Sequence, residues 1–144
     1  EIVFGDGSSD VCSSDLARRL LDTHIPLATA VRQWGNLSGL VAGLYREDYG
    51  LIGRSLVDHV AEPKRAGLIS GFYELKEAAM KNGALGAGIS GSGPSVFALC
   101  RGGDTAAAVM KSMSGKMISL GLAFDAYMSP VCPAGAQECA IADL

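Results

Sequence analysis

A glycine-rich turn between two short apolar runs constrains this chain most. Residues 85–89 are apolar with alternating glycines, residues 90–94 read Ser-Gly-Ser-Gly-Pro, and residues 96–100 form a second apolar run. This pattern predicts strand, loop, strand, and the loop is either a sharp hairpin or a functional loop. It is not a Walker phosphate loop, because no Gly-Lys-Ser/Thr follows. It is not a dinucleotide fingerprint either, because Pro94 and an apolar run stand where a helix would begin.

The segment that starts at Pro26 carries a helical pattern. Its apolar residues recur at steps of three and four, which is the spacing of one helix face. Gly35, Gly39 and Gly43 recur every four residues on one side, so we expect close packing against another helix or sheet, and we expect Trp34 in the core. The apolar positions are Leu27, Val31, Trp34, Leu37, Val41 and Leu44.

Capping residues and breaks mark the other elements. Asp48 and Asp104 can cap helices, and Asn82-Gly83 can end one. Glu62-Pro63 breaks the chain, because a residue before proline avoids helical angles. The order of elements indicates an α+β fold, an antiparallel sheet with helices packed on it. The predicted helices cover 49–56, 72–81 and 104–120, and further strands cover 123–128 and 140–144.

Charge and composition exclude several classes of function. The chain has 12 basic and 15 acidic residues, but four of the acidic ones lie in residues 1–16, so the remainder is nearly neutral. A near-neutral domain gives no electrostatic case for binding nucleic acid or an anionic membrane. No apolar run is long enough to span a bilayer and no segment predicts a signal peptide, so we expect a cytoplasmic protein.

The cysteines and histidines do not predict a metal site. No pair of the four cysteines has C-x-x-C spacing, and both histidines lie far from them in the sequence. We expect reduced thiols and a buried Cys100, with a pairing of Cys132 and Cys139 left open. His24 and His59 are expected at the surface or at helix ends.

Residues 1–16 differ in character from the rest. Residues 8–16, SSDVCSSDL, resemble one reading frame of a common sequencing adapter, and Glu1-Ile2 fits the stretch upstream of its index. After Phe4 there is no apolar periodicity, and Gly, Ser and Asp dominate. We interpret residues 1–16 as a disordered adapter-derived segment, with a natural serine-rich arm as the alternative, and we place the native domain at 17–144.

Four segments carry a resemblance to the GHMP family of small-molecule kinases, in the version found in homoserine kinases. Residues 83–98, GALGAGISGSGPSVFA, resemble the third motif of that family. Residues 17–21, ARRLL, resemble its Ala-Arg-x-x-Leu-Pro, although Asp22 stands where proline is usual. Residues 33–41 resemble the helix that follows, and EPKR at 62–65 resembles Glu-Pro-x-Arg. The resemblance implies that residues 17–144 are a GHMP kinase C-terminal domain with a ferredoxin-like α/β layer, truncated so that the N-terminal ATP-binding half is missing.

The resemblance also implies an activity, the ATP-dependent phosphorylation of the L-homoserine hydroxyl to O-phospho-L-homoserine in threonine biosynthesis. Arg18 and Arg65 would hold the substrate carboxylate, a role that suits the planar two-pronged donor of arginine. Ser90, Gly91, Ser92 and Gly93 would lie beside the phosphate loop of the missing half. That half would bind most of the ATP with Mg²⁺, so no catalytic residue is assigned in this chain, and this part alone is expected to be inactive.

Two alternatives remain open. One is another GHMP kinase that acts on mevalonate or a sugar, for which paired arginines would lose their purpose. The other is a non-enzymatic α+β module that binds amino acids, which would not need the 90–94 loop together with Glu62-Pro63-x-Arg65. The resemblance implies L-homoserine and ATP as ligands. The glycine-faced helix and its apolar positions allow a homodimer but do not require one.

Overall fold

The computed structural model describes residues 2–5 and 13–134 of the chain. Four strands, six helices and one short 3-10 turn follow one another in this part. The strands are β1 (Ile2–Gly5), β2 (Gly86–Ile89), β3 (Val96–Leu99) and β4 (Asp125–Met128). The helices are α1 (Ser13–Arg19), α2 (Leu27–Arg46), α3 (Tyr49–Ser55), α4 (Glu62–Arg65), α5 (Phe72–Lys81) and α6 (Gly103–Ser119), with the 3-10 turn at Ala66–Leu68.

The sheet is antiparallel, with strand order β2-β3-β1-β4. β2 and β3 form the predicted hairpin, in which Gly86 pairs with Leu99 and Ile89 pairs with Val96. A strand, helices, two strands, a helix and a last strand are the element order of the ferredoxin-like fold. The predicted α+β class and the strand–loop–strand reading are therefore confirmed. The strand predicted at 140–144 lies outside the described residues.

The sequence reasoning left out β1, and it also left out the helices α1 and α4. Ile2–Gly5 lies between β3 and β4 and pairs with both, from Ile2 against Ala98 and Met128 to Phe4 against Val96 and Ala126. This differs from the expectation that residues 1–16 are disordered. A run of β-branched and aromatic residues has the propensity of a strand, and backbone pairing on both sides satisfies its polar groups. The adapter origin of residues 1–16 stays a prediction.

The core lies between one face of the sheet and the pair α5 and α6. Its largest fully buried side chains are Phe72, Leu75, Met113, Val96 and Val109. Alternation on β3 separates the two faces, because Val96 and Ala98 are buried while Phe97 and Leu99 are only half-buried. α5 begins and ends as predicted, at 72 and 81, and Gly83 follows with a φ of +94°. Asp104 does not cap α6 as predicted. The N-cap is Gly102, and Asp104 lies in the first turn, where its charge favours the helix dipole.

α2 packs on α3 through glycines, as the four-residue glycine spacing predicts. A Cβ at Gly43 would lie 3.0 Å from the backbone nitrogen of Ile52, and one at Gly39 would lie 2.5 Å from Ser55 Oγ. A Cβ at Gly35 would meet nothing within 4 Å, so the third glycine takes no part in this contact. Asp48 caps α3 as predicted, since its carboxylate accepts a hydrogen bond of 2.9 Å from the Leu51 N–H.

A second face of α2 is apolar and exposed. Trp34 is 59% exposed, so the prediction that it lies in the core is wrong. Its neighbours along the same face are exposed as well, which leaves a continuous apolar stripe, called here the α2 stripe. The α2 stripe consists of Leu27, Val31, Trp34, Leu37, Val41 and Leu44.

Within the described residues, no helix is long and apolar enough to cross a membrane. The same part of the chain contains no cluster of three or more metal-ligating side chains. Cys100 is half-buried and free, and burial raises the pKa of its thiol. Cys132 is exposed and free, and Cys139, with which a pairing was left open, lies outside the described residues.

Candidate functional site

The loop between β2 and β3, residues 90–94, is closed by its own backbone. The Ser90 N–H donates to the Ser95 carbonyl at 2.8 Å, and the Gly93 N–H donates to the Ser90 carbonyl at 3.1 Å. Gly91 and Gly93 have φ values of +61° and +80°, which favour glycine at both positions. Gly93 also needs the space, since a Cβ there would lie 3.0 Å from Ile69 Cδ1. The Gly93–Pro94 peptide bond is cis.

Arg65 connects this loop to the first helix. Its Nη1 donates to the carbonyl of Gly91 at 3.1 Å, and its Nε donates to the carbonyl of Ala17 at 3.1 Å. Ala17 is fully buried, whereas the Arg65 side chain is half-buried and lies at the edge of the loop. The structure therefore brings together three of the predicted segments: the end of Glu62-Pro63-Lys64-Arg65, the glycine loop and the Ala17-Arg18 pair.

The side chain of Arg18 takes a different direction. Its Nη1 lies 3.3 Å from Asp15 Oδ1, and three quarters of the side chain is exposed. Arg18 thus adjoins Arg65 through the main chain of Ala17, while its guanidinium pairs with a residue of the first sixteen. The predicted pairing of the two arginines on one carboxylate stays a prediction.

The helix that carries Arg65 is held by residues that the sequence reasoning missed. The carboxylate of Asp58 accepts from the N–H groups of Val60, Ala61 and Glu62 at 2.8 to 3.0 Å, which satisfies the N–H of the first residue of α4 and those of the two residues before it. Glu62-Pro63 does not break the chain as predicted, because a proline in the first turn of a helix gives up no hydrogen bond. An Asp four residues before Glu-Pro is the signal that could have revealed this cap.

Glu62 and Lys76 form a largely buried ion pair beside the hairpin. Lys76 Nζ donates to Glu62 Oε1, and only 12% of the Glu62 side chain is exposed. The other carboxylate oxygen, Oε2, lies 3.3 Å from the position of a Cβ on Gly88. Gly88 therefore leaves room both for Glu62 and for the ring of Phe97, which approaches to 3.2 Å. The pair ties α4 to α5 across the edge strand β2.

A cavity of about 180 Å³, lined by both apolar and polar side chains, lies between α2, the segment after α3 and the outer face of β2 and β3. Two side chains of α2 hold the loop that forms its far wall. The Gln33 side-chain oxygen accepts from the His59 N–H at 2.8 Å, and the Asn36 amide donates to the Val57 carbonyl at 2.7 Å. These contacts position Asp58, and through it α4 and Arg65.

Comparisons with known proteins agree with the segments identified above. The family profile described as GHMP kinases C terminal matches residues 40–119. The homoserine kinase of Chlorobaculum tepidum is 52% identical over 126 residues, which are 86% of this chain and 39% of that protein. The homoserine kinase of Chloroherpeton thalassium is 49% identical over 122 residues, or 84% of this chain and 38% of that protein.

A solved structure gives the same result. The crystal structure of homoserine kinase from Cytophaga hutchinsonii superposes with a TM-score of 0.85 at 42% identity, and it covers 90% of this chain and 41% of that one. The chain therefore spans about two fifths of the length of the relatives that it matches.

Proposed function

We propose that this chain is the C-terminal part of a homoserine kinase. The chain belongs to the GHMP kinase family and forms its C-terminal domain. The whole enzyme would transfer the γ-phosphate of ATP to the side-chain hydroxyl of L-homoserine, giving O-phospho-L-homoserine for threonine biosynthesis in the cytoplasm. The observation that carries this proposal is the identity of about 50% to relatives named homoserine kinase. Another GHMP kinase or a non-enzymatic module would be less similar to these particular proteins.

Arg65 is the residue that we assign to the substrate, with Arg18 as its second partner. Two of the five N–H groups of the Arg65 guanidinium donate to main-chain carbonyls, so three remain for a carboxylate. A bidentate contact needs two of them. Arg18 would have to exchange its exposed contact with Asp15 for the substrate, and exposed pairs of this kind contribute only about 0–1 kcal/mol.

Phosphate chemistry would take place on the other side of the glycine loop. Phosphoryl transfer depends mainly on positioning and on charge stabilisation, and backbone N–H groups of glycine-rich turns serve that purpose. We assign the ATP phosphates and Mg²⁺ mainly to the phosphate loop of the N-terminal half, with Ser90, Gly91, Ser92 and Gly93 beside it. Residues 17–144 are then the C-terminal domain, and the additional length of the relatives corresponds to that half.

The α2 stripe is the surface on which we place the N-terminal half. α2 has 20 residues and is about 30 Å long, and six exposed apolar side chains follow one another along it. Contiguous exposed apolar patches commonly mark interaction surfaces. The same helix positions Asp58 and α4 through Gln33 and Asn36, so a domain on the stripe would adjoin the site. A homodimer through the stripe is the alternative, and sedimentation of the chain at several concentrations tests it.

The test joins this chain to the corresponding N-terminal part of the Chlorobaculum tepidum relative. We expect no homoserine phosphorylation by the chain alone and ATP-dependent phosphorylation by the joined protein. In the joined protein, Arg65→Ala should lower kcat/KM for homoserine by about 30-fold or more, since losing a charge-assisted contact typically costs about 2 kcal/mol or more. The KM for ATP should change far less.

Lys64→Ala is the matched control. This substitution removes the same charge from the same helix. Lys64 pairs with Asp22 at the surface, so we expect nearly unchanged kinetics. A joined enzyme that preferred mevalonate or a sugar would place the chain elsewhere in the family. Unchanged homoserine kinetics in Arg65→Ala would refute the substrate assignment of Arg65.

A further inference from the structure

Arg65 makes two contacts that substrate binding does not require. Its Nε and Nη1 each donate to a main-chain carbonyl, Ala17 and Gly91, at 3.1 Å. The two acceptors lie 48 and 26 residues away along the chain, so a single rigid guanidinium joins α1, α4 and the glycine loop. Lysine could not do this, because its ammonium is a point donor without a planar fork.

Gly91 lies at the tip of the glycine loop and is exposed. A Cβ placed on Gly91 would meet nothing within 4 Å, so no packing restrains this residue. The loop closes through the Ser90 and Gly93 N–H groups, neither of which fixes the Gly91 carbonyl. The hydrogen bond from Arg65 Nη1 holds that carbonyl in its direction.

Fixing one carbonyl also fixes an N–H group. In a trans peptide the carbonyl and the following N–H point in opposite directions within one plane. When Gly91 turns its carbonyl to Arg65, the N–H of Ser92 is turned away from Arg65. The orientation of a loop N–H that could face a phosphate thus depends on a residue at the opposite side of the loop.

We propose that Arg65 is a positioning residue for the glycine loop, and that a carboxylate bound to its remaining N–H groups tightens the loop. The second half of this inference rests on the proposed function, because it takes L-homoserine as the carboxylate. Occupancy of the amino-acid site would then order the loop that borders the phosphates. The loop is already closed without a ligand, so the acceptor would strengthen an existing arrangement of the phosphate side.

Amide hydrogen exchange measured by NMR on this chain tests the positioning role. The Gly93 N–H, which closes the loop, should exchange about 10-fold faster in Arg65→Ala, as expected for losing roughly one hydrogen-bonded restraint. Arg65→Lys should restore this protection only in part, since one ammonium cannot serve both carbonyls in the same geometry. The Leu75 N–H in α5 should not change, and Lys64→Ala should leave Gly93 as it is in the unmodified chain.

Titration with L-homoserine separates the two halves of the proposal. We expect it to shift the Arg65 Nε–H resonance and to slow Gly93 exchange in the unmodified chain, but not in Arg65→Lys. Unchanged Gly93 exchange in Arg65→Ala would overturn the positioning role. Binding at Arg65 without any slowing at Gly93 would overturn the coupling. If Gly93 depends on Arg65 while homoserine leaves Arg65 unaffected, the positioning role stands and the substrate assignment in the proposed function fails.

Discussion

Two glycines of the same helix should respond to alanine in opposite directions. Gly35 and Gly43 both lie inside α2, where alanine is favoured over glycine by about 0.5–1 kcal/mol. At Gly35 the new methyl group meets nothing within 4 Å, so Gly35→Ala should stabilise the chain by about that amount. At Gly43 the methyl group meets the Ile52 backbone nitrogen and Cγ1 at 3.0 Å.

The size of the difference follows from these contacts. Backbone cannot rotate away, so Gly43→Ala must push α3 from α2, and overpacking of this kind costs about 1–3 kcal/mol. The helix propensity gain is common to both variants and cancels in their comparison. Gly35→Ala should therefore exceed Gly43→Ala in unfolding free energy by about 1–3 kcal/mol, or several degrees in Tm for a domain of this size.

Urea denaturation followed by circular dichroism measures this difference. Equal m-values would show that both variants unfold the same structure. Gly39→Ala should lie between the two, because the closest atom to its Cβ is the rotatable Oγ of Ser55 at 2.5 Å, and Ser55→Ala should relieve this contact. A Gly43→Ala variant as stable as Gly35→Ala would refute the close packing of α2 on α3.

The other predictions concern a cap and two thiols. Asp58→Ala should cost about 1–2 kcal/mol of unfolding free energy, since it leaves three backbone N–H groups at and just before the start of α4 without their acceptor. In thermal melts Asp104→Ala, which removes no such acceptor, should cost less than about 1 kcal/mol. Cys132 should react with a thiol reagent at pH 8 faster than Cys100, because burial raises the pKa of Cys100 and lowers its thiolate fraction. Peptide mapping follows each site, and equal rates would contradict the half-buried position of Cys100.

Local patterns predicted the elements whose partners are close in the sequence. Phe72, Leu75 and Ala79 lie on one helix face and are buried, and the Asn82-Gly83 signal ends that helix where the structure does. The hairpin around residues 90–94 was predictable for the same reason, because its two strands are joined by the loop itself. Spacing and turn chemistry are sufficient where no distant segment competes.

β1 shows the limit of this reasoning. Residues 2–5 were set aside on the character of the first sixteen residues as a whole, and their strand propensity is short and weak on its own. What makes them a strand is the pair of neighbours, β3 and β4, which come more than 90 residues later. The backbone hydrogen bonds from the strands on both sides stabilise an extended segment at this position. Residues 2–5 alone give no information on that contribution.

The site was predictable in its residues and not in its contacts. The resemblance pointed to Arg65 and to the loop at 90–94, and the structure brings them together. It did not indicate that the acceptors would be carbonyls of Ala17 and Gly91. Every residue carries a carbonyl, so side-chain patterns hold no information on which one an arginine will reach.

The α2 stripe shows why an amphipathic pattern alone misplaces a residue such as Trp34. α2 has one face of glycines that packs on α3 and a second face of large apolar side chains that the described residues leave about half exposed or more. Periodicity identifies both faces but does not state which partner each one meets. For an isolated domain, burial of the larger side chains would be favoured, because each fully buried one contributes about 1.5–3 kcal/mol. The glycine face is buried instead, so burial of the large side chains can stabilise only an association with a partner. Under the proposed function that partner is the half that binds ATP.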